Sequence, residues 1–314
     1  MYESYFGLTE NPFALSPDPR YMYLSPQHSE TLNCLLYGIH GKKGFMAVTG
    51  GIGTGKTTLC RFLLSELDNS VKTALIFNTS LSDVELLKTV NQEFGVRIGS
   101  GRGTKKRYID ALNDFLLRNF SDGKNAVLII DEAQNLSHGA MEQIRMLSNL
   151  ETASEKLLQI VLLGQPELLD TLAAPSLRQL NERITVRCAL KKLGRADVRR
   201  YIEHRISKTS GNADEIFSAA GYHAVYRASG GIPRRINAIC DRALLVAYGK
   251  DTKRVGRRTV REAIADLGTG YLTDLRGKRA LFFAEITVAA LLWAIMILLV
   301  GYGYFLGGFR WPGF

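Results

Sequence analysis

The chain has 314 residues, 46% of them hydrophobic and 22% charged, and this balance excludes a disordered or fibrous protein. Lysine and arginine number 40 against 30 aspartate and glutamate, so the formal net charge is +10, which favours an anionic partner such as a nucleotide, a nucleic acid or a lipid. The four cysteines include no CxxC pair, which argues against a zinc ribbon or a disulfide scaffold and fits a reducing compartment.

The amino terminus, Met1-Tyr-Glu-Ser-Tyr-Phe-Gly, carries no sign of an export signal. It has neither a basic n-region nor an apolar h-region, so we expect no cleaved signal peptide and a cytoplasmic location for the folded part. We also expect the segment 1–40 to pack on the domain that follows it.

From residue 45 onward, short apolar runs alternate with helix-length amphipathic segments. The predicted strands are Phe45–Thr49, Ala74–Phe77, Ala126–Ile130, Gln159–Leu163 and Ile184–Ala189. The predicted helices between them are Thr57–Leu67, Asp83–Phe94, Lys106–Asn119 and Ala140–Leu150. Because strands that are apolar throughout are buried on both faces, this order predicts an α/β fold with a parallel sheet between two layers of helices.

The strand signals stop at Gly194, and three or four helical stretches up to about Leu267 predict a second domain that is entirely α-helical. The predicted division of the chain is an amino-terminal segment 1–40, an α/β core 41–193, a helical lid 194–267, a linker 268–285, a membrane helix 286–308 and a short periplasmic tail 309–314.

The stretch from Ile286 to Gly308 contains 23 residues without a charged side chain. As a helix it would be ~34 Å long, against a bilayer core of ~30 Å, so it predicts a transmembrane span. A buried core helix is the alternative, but a segment that is apolar on all sides favours the membrane. More positive charge precedes the span than follows it, which places the amino-terminal part in the cytoplasm. The basic run Lys250–Arg261 either contacts anionic lipid or is a solvated helix end.

A phosphate-loop pattern, GxxxxGK[ST], follows the first predicted strand and opens a predicted helix. The predicted phosphate-binding residues are Gly50, Gly51, Ile52, Gly53, Thr54, Gly55, Lys56, Thr57 and Thr58. Glycines let the backbone wrap a phosphate chain, whose charge the amide N–H groups and the helix amino end stabilise. We expect Lys56 to reach the β- and γ-phosphates and Thr57 to offer its hydroxyl to Mg²⁺.

The segment Ala126–Gln134 is an apolar strand that ends in two carboxylates, Asp131 and Glu132. Their position predicts that they lie at the carboxyl edge of the sheet, beside the phosphate loop. Phosphoryl transfer needs one group that holds Mg²⁺ and one that activates water, and we assign Asp131 to the first role and Glu132 to the second. An Asp-Glu pair is more often a helix start, so the catalytic interpretation depends on the phosphate loop.

Three further regions complete the predicted site. Gln165 follows the next strand, where it would hydrogen-bond the γ-phosphate or the water, although a plain turn residue is the alternative. Arg178 and Arg183 lie just before the last strand, and one of them could reach a neighbouring subunit's nucleotide, with a surface salt bridge as the alternative. A Gly-Gly-Ile-Pro-Arg-Arg run starts a lid helix and directs Arg234 or Arg235 toward the phosphates.

Together these features resemble the AAA+ ATPases, and additional motifs resemble one branch of them, the ExeA/GspA family of general secretion pathway ATPases. The motifs span roughly the first 267 residues. They include Tyr5-Phe-Gly-Leu, Asn11-Pro-Phe, Ser16-Pro-Asp-Pro-Arg20, Ile130-Asp-Glu-Ala-Gln-Asn-Leu136, Gly164-Gln-Pro-Glu-Leu168 and Gly231-Ile-Pro-Arg-Arg-Ile-Asn237. The resemblance implies an AAA+ P-loop NTPase core with a five-stranded parallel sheet in an αβα sandwich, followed by a helical lid and the transmembrane helix.

The resemblance also implies an ATP hydrolase with ATP and Mg²⁺ as cofactors, anchored in the bacterial inner membrane. Its subunits would form a homo-oligomer, by default a hexameric ring, and would work with a partner of the GspB/ExeB type. Through that partner they would help a secretin assemble across peptidoglycan in type II secretion. Pilus biogenesis and exosortase-linked polysaccharide export remain alternatives. By position, the family's sensor 1 maps onto Gln165 and its sensor 2 onto Arg234. Arg183 is placed like the arginine that precedes the final strand in clamp-loader-type AAA+ proteins, so we choose it as the arginine finger, with Arg178 as second choice.

The sequence departs from the family in one respect. Secretion members commonly continue beyond the membrane into a peptidoglycan-binding domain, whereas this sequence ends six residues after Gly308. Either the chain is a truncated form or another subunit contacts the wall.

Two rival interpretations remain. Transposon-associated AAA+ proteins have a similar core, so a DNA-binding regulator is one rival. The predicted membrane span argues against it, and we expect no nucleic-acid partner. The other is a scaffold that binds ATP but scarcely hydrolyses it, which an intact Glu132 disfavours.

Overall fold

A computed structural model describes residues 1–77, 79, 81–98, 103–153, 155–268 and 296. The predicted membrane helix 286–308 lies outside these residues apart from Met296, as do the linker after Gly268 and the tail. Among the residues that are described, no helix is both long enough and apolar enough to cross a membrane.

A five-stranded, fully parallel sheet forms the centre of the core, as predicted. Its strands are β1 (Phe45–Gly50), β2 (Val71–Ile76), β3 (Asn125–Ile130), β4 (Gln159–Gly164) and β5 (Ile184–Leu190). Their order across the sheet is β2-β3-β4-β1-β5, and each neighbouring pair is parallel. The three inner strands are almost completely buried, whereas the edge strands β2 and β5 alternate between buried and more exposed residues. Only the inner strands therefore have the continuous apolar pattern of a strand that is covered on both faces.

Helices cover both faces of the sheet. One face carries α1 (Pro26–His40) and α2 (Lys56–Glu66); the other carries α3 (Asp83–Glu93), α4 (Lys105–Ser121), α5 (His138–Leu147), α6 (Glu167–Ala173) and α7 (Arg178–Glu182). Successive strand residues point to opposite faces. In β1, for example, Phe45 and Ala47 join one apolar cluster and Met46 and Val48 join the other.

The lid is a separate helical cluster. Its helices are α8 (Arg195–Ser207), α9 (Ala213–Ile216), α10 (Ala219–Ser229), α11 (Pro233–Gly249) and α12 (Arg257–Asp266). Five helices thus occupy a stretch in which three or four were predicted, because the four-residue α9 is too short to produce a helical pattern of its own. Buried side chains from all five helices form one apolar cluster.

The amino-terminal segment is divided between the two domains. Helix α1 packs on the sheet, but the expectation that the whole of residues 1–40 packs on the core is wrong for the first thirteen residues. Tyr2, Phe6, Leu8 and Phe13 are buried among the lid helices. Their apolar surface is covered there because they join the apolar cluster of the lid helices.

Candidate active site

The phosphate loop connects the end of β1 to the first residue of α2. Gly53 and Gly55 have φ angles of +74° and +102°, which only glycine adopts without strain. No side chain caps α2, so no side-chain acceptor occupies the amide N–H groups at its amino end, which are the groups that bind anions at a helix start. The Lys56 Nζ donates to the carbonyl oxygens of Gly50 at 2.8 Å and Gly51 at 3.4 Å. Burial lowers the pKa of Lys56, against the attraction of the nearby Glu132 and Asp131.

Thr57 and Asp131 meet where α2 begins and β3 ends. The Thr57 hydroxyl donates to Asp131 Oδ2 at 2.6 Å, and Asp131 is only 2% exposed. A hydroxyl and a carboxylate oxygen are the hard ligands that Mg²⁺ accepts beside phosphate oxygens and water, so this pair fits that ion. Within the described residues, no three His, Cys, Asp or Glu side chains form a group that could hold a metal ion. The pair would therefore need the phosphate and water oxygens as further ligands.

Glu132 occupies a strained backbone position next to this pair. Its φ of 53° and ψ of 39° lie in the left-handed region, which is rare for a residue with a side chain. Its Oε2 accepts hydrogen bonds from Gln134 Nε2 at 2.6 Å and from Gln165 Nε2 at 3.2 Å. Burial alone would raise the pKa of Glu132, but these two donors together with the charge of Lys56 outweigh burial and lower it.

Gln134 was not predicted as a site residue. Besides its bond to Glu132, its Oε1 accepts from the backbone N–H of Gln165 at 3.0 Å. It therefore holds Glu132 and the end of β4 together. Its side chain lies two residues after Glu132 in the same motif, and this spacing was the only available sign of its role.

The lid touches the phosphate loop at Arg234, near the start of α11. The Arg234 N–H donates to Gly53 O at 3.3 Å, and a Cβ added to Gly53 would lie 2.8 Å from the Arg234 Cβ. A side chain at position 53 would therefore push the lid away. The structure brings Lys56, Thr57, Glu132 and Arg234 to one cavity.

The two predicted arginine-finger candidates lie elsewhere. Arg183 Nη1 donates to Ser148 Oγ at 3.0 Å and to Asn149 Oδ1, and Arg178 forms an exposed ion pair with Glu182 at 2.9 Å. Neither arginine lines the cavity of its own chain. Action on a neighbouring subunit therefore stays a prediction.

The cavity lies between core and lid and has a volume of about 350 Å³. We call one side its phosphate end, formed by residues 52–58, Glu132 and Arg234. We call the other its aromatic end, formed by residues 15–18, Tyr21, Met22, Tyr23, Leu193, Tyr201, Arg205 and Asn237. In the aromatic end Tyr23 packs edge-on against Tyr201 with 6.2 Å between ring centroids. The residues of the phosphate end were all predicted to belong to the site, whereas no residue of the aromatic end was.

His28 connects the amino-terminal segment to the phosphate loop. Its Nδ1 lies 2.7 Å from Ser25 Oγ and its Nε2 lies 3.3 Å from the carbonyl oxygen of Thr54. Because a carbonyl can only accept, Nε2 carries the proton and Ser25 donates to Nδ1. Burial lowers the pKa of His28, which keeps the ring neutral near pH 7.

The fold and this site define a AAA+ P-loop protein. A family model described as an AAA domain matches residues 39–172. Two archaeal structures share the fold. Cdc6p from Pyrobaculum aerophilum has a TM-score of 0.67 at 14% identity, covering 82% of this chain and 71% of that one. The Aeropyrum pernix ORC1 protein, solved in complex with DNA, has a TM-score of 0.61 at 17% identity, covering 82% and 69%.

The sequence match is more specific than the fold. The chain is 44% identical over 255 residues to general secretion pathway protein A from Aeromonas hydrophila, an alignment that covers 81% of this chain and 46% of that protein. Over the aligned part, the chain belongs to the ExeA/GspA family of AAA+ proteins, which confirms the resemblance seen in its motifs. It spans about half the length of this relative.

Proposed function

We propose that this chain is a Mg²⁺-dependent ATPase that hydrolyses ATP to ADP and phosphate. The observation that carries the proposal is the convergence of Lys56, the Thr57–Asp131 pair and the Glu132–Gln165 pair at one edge of the sheet. Lys56, Thr57 and Glu132 line a cavity whose other wall is the lid, and Asp131 and Gln165 are hydrogen-bonded to Thr57 and Glu132. Such a site can bind a polyphosphate, hold a metal ion and accept a proton from water.

The residues divide this work by their chemistry. The loop amides, Lys56 and Arg234 bind the phosphate chain, and Lys56 exchanges its two carbonyl partners for phosphate oxygens. Thr57 and Asp131 would hold Mg²⁺, which supplies positive charge that stabilises the phosphate oxygens in the transition state.

Glu132 is the proposed general base. Its lowered pKa keeps it ionised at neutral pH, so it can accept a proton. Both amide donors bind Oε2, and within the described residues Oε1 has no hydrogen-bond partner. Gln134 and Gln165 thus orient the carboxylate while Oε1 receives the proton of the attacking water.

We further propose that the ATPase supports assembly of a secretion complex at the bacterial inner membrane. The 44% sequence identity to general secretion pathway protein A supports this assignment. Ile286–Gly308 would anchor the chain with its ATPase domain in the cytoplasm, and subunits would form a ring with a partner of the GspB type. Pilus biogenesis and polysaccharide export are the alternative pathways.

Glu132→Gln tests the hydrolytic step. In the full-length protein in detergent we expect ATP binding to persist and turnover to fall by about 100-fold or more, because the amide cannot accept a proton. The matched control is Glu93→Gln, an exposed position on α3, which should leave turnover unchanged. Hydrolysis at the wild-type rate by Glu132→Gln would exclude this residue as the base.

Rings assembled from two different variants test whether Arg183 acts as an arginine finger on a neighbouring subunit. An Arg183→Ala subunit retains a complete site but lacks the finger, whereas a Glu132→Gln subunit retains the finger. Mixing the two should restore part of the turnover, and Arg178→Ala serves as the comparison. No rescue from two variants that both assemble would contradict a finger acting between subunits.

The pathway is tested by affinity purification of the Glu132→Gln protein from solubilised membranes with ATP, followed by mass spectrometry. Secretin-pathway proteins should co-purify. Pilus or export proteins would instead reassign the pathway, and DNA with transposition proteins would refute the functional assignment.

A further inference from the structure

A chain of three buried polar side chains belongs to the lid side of the cavity. Tyr201 and Arg205 lie on α8 and Asn237 on α11, and they are 7%, 6% and 6% exposed. Arg205 donates to the carbonyl oxygens of Pro12 and, at 3.3 Å, Ala14. No carboxylate among the described residues forms an ion pair with it. These side chains therefore form hydrogen bonds only with neutral groups or with one another, while they line a site for an anionic ligand.

The direction of the hydrogen bonds that join Arg205, Tyr201 and Asn237 is fixed. A guanidinium can only donate, and Arg205 Nη1 lies 3.1 Å from the Tyr201 hydroxyl. The Tyr201 oxygen accepts that bond and directs its own proton to Asn237 Oδ1 at 2.8 Å. The orientation of the Asn237 carboxamide follows from this order.

With Oδ1 bound to Tyr201, the Asn237 Nδ2 is directed away from it. Nδ2 carries two N–H donors and accepts nothing. Within the described part of the chain it has no hydrogen-bond partner. Asn237 lines the cavity, so the lid offers unused donors to whatever ligand enters. The matching group on a ligand is a hydrogen-bond acceptor.

The position of Asn237 shows which part of a nucleotide it would meet. It follows Arg234 by three residues, or ~4.5 Å along α11, so it lies on the same helix face but away from the phosphate loop. Its partner Tyr201 packs against Tyr23, and Arg205 stacks over the Tyr21 ring at 4.7 Å from its centroid. Asn237 therefore belongs to the aromatic end. Apolar rings with a few placed donors are typical of a site for a flat heterocycle or a sugar.

We propose that Asn237 is a specificity residue that donates a hydrogen bond from Nδ2 to an acceptor on the nucleoside part of ATP, a base nitrogen or a ribose oxygen. Arg205 and Tyr201 act as positioning residues that fix its carboxamide. The inference rests on the proposed nucleotide site, and it adds the group that distinguishes a nucleotide from a bare polyphosphate.

The test compares the dissociation constants of ATP and of inorganic tripolyphosphate for the full-length protein in detergent with Mg²⁺, measured by calorimetry. Asn237→Ala should weaken ATP about fivefold and leave tripolyphosphate unchanged, because only ATP has a nucleoside. Asn237→Asp keeps the acceptor for Tyr201 but replaces the donors with an anionic acceptor, so it should weaken ATP more than Asn237→Ala does. Tyr201→Phe should weaken ATP about threefold, because the carboxamide loses the bond that orients it. Asn113→Ala, on α4 and away from the cavity, is the matched control.

Two results would overturn the inference: unchanged ATP affinity in Asn237→Ala, or equal losses of ATP and tripolyphosphate affinity. If Asn237→Ala does not fold, the nearly isosteric Asn237→Asp carries the test, and wild-type ATP affinity in that variant would overturn the inference. Lys56→Ala tests the proposed function independently of the inference about Asn237. It should weaken both ligands, and if it weakens neither, the phosphate loop does not bind the nucleotide and the proposed function fails as well.

Discussion

At its phosphate end the cavity is formed mainly by the core, through one loop, one strand end and their charged side chains, with Arg234 as the contribution of the lid. At its aromatic end it is formed by three separate segments, residues 15–23, the lid helices and the connection at Leu193. The first end is fixed by the sheet, since β1, β3 and β4 are hydrogen-bonded neighbours. The second exists only while the amino-terminal segment lies on the lid. The difference implies that phosphate binding and nucleoside binding can be disturbed independently.

The largest expected effect comes from loosening the amino-terminal segment. Phe13 is 1% exposed and packs edge-on against Phe217 in the lid cluster. Phe13→Ala removes this buried ring and should lower the free energy of unfolding by about 3–5 kcal/mol, measured by denaturant unfolding of the full-length protein. It should also weaken ATP more than tripolyphosphate, because Pro12 and Ala14 on either side hold Arg205.

Phe77→Ala is the control for this prediction, since that ring is 48% exposed and its removal should cost less than about 1 kcal/mol. Equal losses of ATP and tripolyphosphate affinity in Phe13→Ala would contradict the independence of the two ends.

A smaller effect is expected from Gln134 at the phosphate end. Its amide donates to Glu132 Oε2 at 2.6 Å, and this bond is one reason why the pKa of Glu132 is lowered. Gln134→Ala should raise the pKa of Glu132 and misorient it, so turnover should fall about tenfold. Because the ionised carboxylate is the active form, the acid limb of the pH–rate profile should move to higher pH.

The pH profile separates this role from a structural one. Gln92→Ala, at an exposed position on α3, should leave both rate and profile unchanged. A loss of rate in Gln134→Ala with an unmoved acid limb would show that Gln134 supports the fold but does not tune Glu132.

The two ends of the cavity differ in how much of each could be predicted from the sequence. Residues 50–58 are contiguous, so their local pattern was enough to select them. Asp131 and Glu132 end an apolar strand, and the rule that parallel strands share a carboxyl edge was enough to place them beside residues 50–58. The sheet was predicted for the same reason, with its largest boundary error at β2, which begins at Val71 and not Ala74 because an edge strand alternates.

The aromatic end could not be predicted in this way. Tyr21, Tyr201 and Asn237 are far apart in the chain, and their meeting depends on how residues 1–13 pack on the lid. Helix α1 was missed although Ser25 followed by Pro26 is a helix-start signal, and that helix is what brings His28 to the phosphate loop. Gln134 was visible in its motif, but the direction of its side chain depends on the left-handed backbone of Glu132.

His28 joins the amino-terminal segment to the phosphate loop, beside the contact that Arg234 makes from the lid, and it gives the smallest expected effect. Burial lowers its pKa, so the folded protein binds this proton less readily than the unfolded chain. The free energy of unfolding should therefore be unaffected by this group above the ordinary histidine pKa of about 6.5 and should fall as the pH drops from there toward the lower folded value. His28→Gln removes this part of the pH dependence and should lower the free energy of unfolding at pH 7.5 by about 1 kcal/mol, since the bonds to Ser25 and Thr54 are weakened.

Denaturant unfolding of the full-length protein between pH 5.5 and 7.5 (~one unit to each side of the reference pKa) measures this effect. His138→Gln, at an exposed position on α5, is the control and should keep the wild-type slope. If His28→Gln keeps the wild-type slope as well, the pKa of His28 is the same in the folded and the unfolded chain. Burial would then not keep the ring neutral, and the contact with Thr54 would not make the stability depend on pH.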